Sequence, residues 1–107
     1  MTEYLLVTTT VDSREAADQI AEQLVRKRLA ACAQVGGPVS STYWWQQKVE
    51  SAQEWLCLLK TARRCYDKLE SELRELHPYD VPQIIAVPIA EGSQAYLHWL
   101  HEELSQE

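Results

Sequence analysis

The chain has 107 residues, 46% of them apolar, with 16 acidic against 10 basic side chains and a formal net charge of −6. That is the length of one domain (1–107) with enough apolar material for a compact core, which excludes wholesale disorder. The acidic balance opposes a phosphate backbone and an anionic lipid surface, so neither nucleic acid nor membrane is expected as a partner.

Tyr4 to Thr10 reads as a first strand, β-rich and apolar at its start. Asp12-Ser13-Arg14-Glu15 has the D-x-x-E form of a capping box, so Asp12 is the expected cap of a first helix. Ala16, Ala17, Ile20, Leu24 and Val25 recur behind it at helical spacing. Arg26, Lys27 and Arg28 close that helix with the charge its dipole favours. Ala30 to Gln34 and Val39 to Trp45 form one long strand, bent where Gly36-Gly37-Pro38 interrupts it. Gln46-Gln47-Lys48 is the turn of a hairpin, and a third strand runs from about Val49 to Lys60.

Thr61 is the expected cap of a second helix carrying Cys65, Leu69, Leu73 and Leu76. His77-Pro78 ends it, because the residue before proline is pushed out of the α region. Gln83 to Ile89 gives a fourth strand, and Ser93 caps a last helix with Tyr96, Leu97, Leu100 and Leu104 on one side. The order is β-α-β-β-α-β plus a C-terminal helix. It predicts an α+β fold of the ferredoxin-like arrangement.

The start of the chain lacks a basic segment before its short apolar run, and no stretch approaches the roughly 20 apolar residues that cross a bilayer. Cys32, Cys57 and Cys65 show no CxxC spacing and sit in apolar patterns. They read as reduced thiols used as small hydrophobes, which places the protein in the cytoplasm.

A ferredoxin-like sheet covered by helices on one face alone should alternate apolar and polar residues. These strands do not: Leu5-Leu6-Val7, Leu56-Cys57-Leu58-Leu59 and Ile84-Ile85-Ala86-Val87 are continuous. An exposed face of that composition would exceed the apolar patches soluble monomers carry, so copies of the chain are expected to associate through it.

The residues with chemical potential are few. Tyr43-Trp44-Trp45 is either an interface anchor or a stacking surface for a flat or cationic ligand. Lys60 ends an apolar run, where it either snorkels to solvent or meets an anion. His77 is a candidate metal ligand or a cap of its helix's free carbonyls, and Tyr79 follows it. His98 and His101 share a helix face without further donors. A nucleophile with a base and its orienter cannot be assembled, so no enzyme is expected.

Several fragments together carry a resemblance. Lys27-Arg28-Leu29-Ala30-Ala31-Cys32 precedes the Gly/Pro bend, and Ser41-Thr42-Tyr43-Trp44-Trp45 follows it. Then come Leu59-Lys60-Thr61, His77-Pro78-Tyr79-Asp80-Val81-Pro82-Gln83-Ile84, Pro88-Ile89 with Gly92, and Tyr96-Leu97-His98-Trp99. In this order they resemble the CutA divalent-ion tolerance proteins over nearly the whole chain. The resemblance implies a homotrimer similar in plan to the PII signalling proteins, with sheets facing the threefold axis. It also implies a response to copper and other divalent ions, and a cleft between subunits for an ion or small ligand. Tyr43, Trp44, Trp45, Lys60 and Tyr79 would line such clefts. Family members credited with copper ligation place a Cys late in strand one and a His-His pair before Pro-Tyr. Thr8 and Leu76-His77 stand at those positions, so His77 is the matching metal ligand and Cys32 a further thiol donor.

The alternative is a PII-like signalling or structural trimer that docks a protein partner without binding metal. An RNA-binding domain shares the element order, but its basic and aromatic strand-three motif is replaced here by Gln53-Glu54-Trp55-Leu56-Cys57. A soft-metal chaperone of this fold needs a CxxC in the first loop, where Val11-Asp12-Ser13 stands.

Overall fold

The computed structural model describes residues 3–106. Four strands, β1 (Tyr4–Val11), β2 (Cys32–Trp45), β3 (Lys48–Ala62) and β4 (Ile85–Pro88), form an antiparallel sheet in the order β2-β3-β1-β4. Helices α1 (Arg14–Arg26), α2 (Tyr66–Leu76) and α3 (Gln94–Glu103) complete the ferredoxin-like arrangement with its extra helix. Among the described residues no helix is long and apolar enough to cross a membrane.

Helix α1 buries Ala17, Ile20 and Leu24, one turn apart, and α2 buries Leu69 and Leu73. Both stripes close over Val7, Val11, Cys57 and Leu59 to make the main core. Residues paired across antiparallel strands share a face. Val7 opposite Leu59, Thr9 opposite Cys57 and Val7 opposite Ala86 therefore define the covered face. The interleaved residues Leu6, Thr8, Leu56, Leu58, Ile85 and Val87 point the other way and stay half-exposed or exposed. Helix α3 covers only one end of that second face: Leu100 and Leu104 bury against Ala31, Ala62 and Cys65, with Tyr4 beside them.

Strand β1 ends where Val11 pairs with Trp55, so β2 and β3 continue alone from Val39–Glu54 to Trp45–Lys48. This two-stranded arm makes the molecule 44 Å long and 25 Å wide. Its root is the predicted bend, a register shift between Gly36 and Val39. Gly37 has a φ of +138°, and a Cβ there would meet the Glu54 carbonyl at 3.0 Å, so no larger residue fits without strain. The tip is a two-residue turn in which Gln46 and Gln47 both have positive φ, while Lys48 already belongs to β3.

Three local expectations are corrected. The cap of α1 is Ser13, whose hydroxyl accepts the Ala16 N–H at 3.1 Å, and not Asp12. Thr61 caps nothing; it stays in β3 and donates its hydroxyl to the Leu29 carbonyl at 2.6 Å, while a 3-10 turn, Arg63–Cys65, leads into α2. Strand β4 is shorter than expected, because it pairs only with Leu5 to Thr8.

Candidate functional site

Two clusters of polar side chains hold the residues picked from sequence in the body, one at the end of β1 and one beside Leu6. The first is built on His77, which leaves α2 in an extended conformation ahead of Pro78 and is 7% exposed. Its Nδ1 accepts the Tyr79 backbone N–H at 3.1 Å. An accepting ring nitrogen carries no hydrogen, so Nε2 bears the proton of the neutral ring. Nε2 then donates to the Thr10 carbonyl at 2.9 Å, with the Thr9 hydroxyl 3.0 Å away. Burial lowers the pKa of this imidazole, against the Thr10 carbonyl and the carboxylates of Asp12 and Glu54, which raise it.

Tyr79 stands edge-on to the imidazole, ring centres 4.8 Å apart, and donates its hydroxyl to Glu54 Oε2 at 2.7 Å. Burial and then the Glu54 carboxylate hold the phenol well above its ordinary range. Glu54 is itself buried and pairs with Val39 at the root of the arm. A hydrogen-bonded line thus runs from the end of β1 through the connection after α2 to the arm.

The second cluster lies on the open sheet face. Cys32 and Lys60 are cross-strand partners, and Lys60 pairs with Leu6 on its other side. The Tyr96 ring of α3 sits over them: Lys60 Nζ is 5.5 Å from its centre, and its hydroxyl is 3.5 Å from Cys32 Sγ. Trp99, one turn on, tilts against Tyr96 at 5.6 Å. Cys57 and Cys65 are buried apolar thiols as expected, Cys57 pushed up to about 12 by burial and then by Asp18. Cys32 departs from that expectation, being partly accessible.

Tyr43, Trp44 and Trp45 lie on the arm next to its tip, opposite Glu50, Val49 and Lys48. Trp44 is 74% exposed, and Trp45, Val49 and Tyr43 are exposed with it. The residues picked from sequence as cleft candidates therefore fall into three places within one chain. His77 joins Tyr79, Cys32 joins Lys60, and the aromatics stand apart. His77 bonds β1 three to four residues beyond the Lys60 row, a separation along the strand of about 10 Å. Among the described residues no three His, Cys, Asp or Glu side chains converge as a metal site. Both His77 nitrogens are already engaged, so the ring serves the fold before any ion.

Glu54 and Tyr96 were not picked from sequence. Glu54 is a lone acid at the start of an apolar run, a weak sign of a paired buried carboxylate. The sequence places Tyr96 only on one side of its helix with Leu97, Leu100 and Leu104, and nothing in the local sequence signals that it faces Lys60.

Comparison with known proteins converges on one family. The CutA1 divalent ion tolerance protein family matches residues 5–103. The divalent-cation tolerance protein CutA of Thermus thermophilus is 47% identical over 102 residues, which span 95% of this chain and 97% of that protein. The chloroplastic protein CutA 1 of rice is 38% identical over 90% of this chain, which spans only 54% of the longer plant protein. Among solved structures, the Thermus thermophilus protein superposes with a TM-score of 0.93 at 45% identity, covering 95% of this chain and 99% of that one. CutA1 from Oryza sativa gives 0.95 at 34% identity, covering 99% and 97%. On its matched span, its identity to these relatives and its fold, the chain belongs to the CutA1 divalent ion tolerance protein family.

Proposed function

We propose that the chain serves divalent-cation tolerance as a homotrimer, with its open sheet faces turned inward and a divalent ion or small ligand taken in the clefts where copies meet. The observation that carries this reading is the open face itself. Leu6, Leu56, Leu58, Ile85 and Val87 cover one side of the sheet with apolar surface that α3 leaves half-exposed or exposed. Burial of such a face returns about 25 cal/mol per Å², and a second copy brings a surface of the same kind. The relatives' names tie the family to divalent cations. Copper is the ion this reading favours, with Cys32 and His77 as donors and Tyr43, Trp44, Trp45, Lys60 and Tyr79 as the cleft's other residues. Because Cys32 and His77 stand in separate clusters of one chain, the ion reading needs donors from more than one copy. A cytoplasmic setting belongs to the same reading, supported by three free thiols.

Calorimetric titration of Cu²⁺ and Zn²⁺ into wild type, Cys32→Ser and His77→Ala tests the ion. Binding that either substitution weakens by about tenfold or more is expected. Equal, millimolar-weak heats from all three proteins would remove ion binding from the proposal.

A second reading, a trimer that docks a protein partner without metal, is favoured by the exposed Trp44 and Trp45 on the arm. It requires that Trp44→Ala abolish capture of that partner while leaving the assembly intact.

A further inference from the structure

Among the described residues Lys60 is the cation of the open face where β1, β3 and β4 lie side by side; Lys48, of the same parity on β3, stands at the tip of the arm. Its row runs Cys32, Lys60, Leu6, Val87, and the next row brings Gln34, Leu58, Thr8 and Ile85. None of the ion pairs among the described residues includes Lys60; the Tyr96 ring lies over it, and the Tyr96 hydroxyl reaches the Cys32 thiol. Glu54 is the acid nearest to this face in register, and its carboxylate already accepts the Tyr79 hydroxyl. When copies cover this face with one another, each brings another Lys60, while the other strand carboxylate of the same parity, Glu50, lies ten residues away along β3 on the arm. An ammonium taken out of water without a counter-charge strongly opposes association.

We infer that Lys60 and the Tyr96 hydroxyl hold a small oxyanion, of the phosphate or carboxylate class, in the cleft that closes as open faces meet. This rests on the trimer reading and names the ligand chemistry of its cleft. The Cys32 thiol can donate to the Tyr96 oxygen, which leaves the phenol hydrogen for the anion. Lys60 supplies the charge, and the apolar neighbours exclude the water that would weaken the pair. The chain's overall charge of −6 gathers no anions by its general field, so an anion effect reports a local site.

The test uses inorganic phosphate as the probe, against chloride at matched ionic strength, in a zwitterionic buffer. Sedimentation velocity reports the stoichiometry and the urea midpoint reports stability, for wild type, Lys60→Met, Tyr96→Phe and Glu50→Gln. Phosphate is expected to raise the wild-type midpoint and to lower the concentration of half-dissociation by about tenfold. Lys60→Met is expected to assemble without phosphate and to ignore it. Tyr96→Phe, which keeps the ring but not the donor, is expected to respond more weakly than wild type. An equal phosphate effect on wild type and Lys60→Met would overturn the site. So would a phosphate-insensitive wild-type trimer that Glu50→Gln weakens, since a carboxylate of the arm would then be the counter-charge. A wild type that stays monomeric with and without phosphate would instead reject the assembly reading, and the site with it.

Discussion

On β1, Leu5, Val7, Thr9 and Val11 are buried while Leu6 and Thr8, interleaved with them, remain half-exposed. On β3, Cys57 and Leu59 are buried while Leu56 and Leu58 are not. The same strands thus present one face completed by α1 and α2 and another of similar composition that α3 covers at one end only. Folding of a single chain accounts for the first face. The second is the face that the proposed association would cover, because the folding of one chain does not require Leu58 or Val87 there.

The contrast can be broken from either side. Leu59→Ala, on the covered face, is expected to cost about 2–5 kcal/mol in urea unfolding, the range for a leucine deleted from a packed core. Leu58→Glu, one residue away on the open face, is expected to break the assembly and to leave the monomer's helical circular dichroism unchanged. Equal losses of structure from both would erase the distinction between the faces.

The His77 cluster sharpens the comparison, because it belongs to the single chain's own fold. His77→Ala leaves the Tyr79 N–H and the Thr10 carbonyl without their partner, a loss of about 1–3 kcal/mol. The pH dependence has a fixed sign. Burial puts the folded imidazole's pKa below its ordinary value of 6.5, so the unfolded chain takes up the proton first. Stability from this group is complete above about pH 6.5 and is lost as pH falls through the lower folded value. His77→Gln is expected to flatten that limb of a urea-midpoint profile; an unchanged profile would assign it to another group. The smallest effect is at α1, where Ser13→Ala is expected to cost about 1 kcal/mol and Asp12→Ala much less.

Much of the fold was legible because it is local. Helical spacing placed α1, α2 and α3, Pro78 fixed the end of α2, and Gly36-Gly37-Pro38 marked the bulge. The double-sided strands were legible for the same reason, since parity alone separates the faces. The errors came where tertiary structure competes with local pattern. Asp12 and Ser13 are adjacent capping residues, and only backbone geometry chooses between them. Thr61 looked like a cap until the Leu29 carbonyl, 32 residues away in sequence, claimed its hydroxyl. Of the candidate site, His77 and Tyr79 could be read together because they are neighbours. The Glu54 partner of Tyr79 is 25 residues distant and the Tyr96 partner of Cys32 is 64, separations that no local pattern encodes.

The most direct measurement is the solution mass of the wild type by light scattering, beside Leu58→Glu at the same concentration. The result expected is three times the 12.3 kDa of one chain for the wild type and a single copy for the variant. A wild type of one chain's mass, with its open face in water, would contradict the reading of that face as assembly surface.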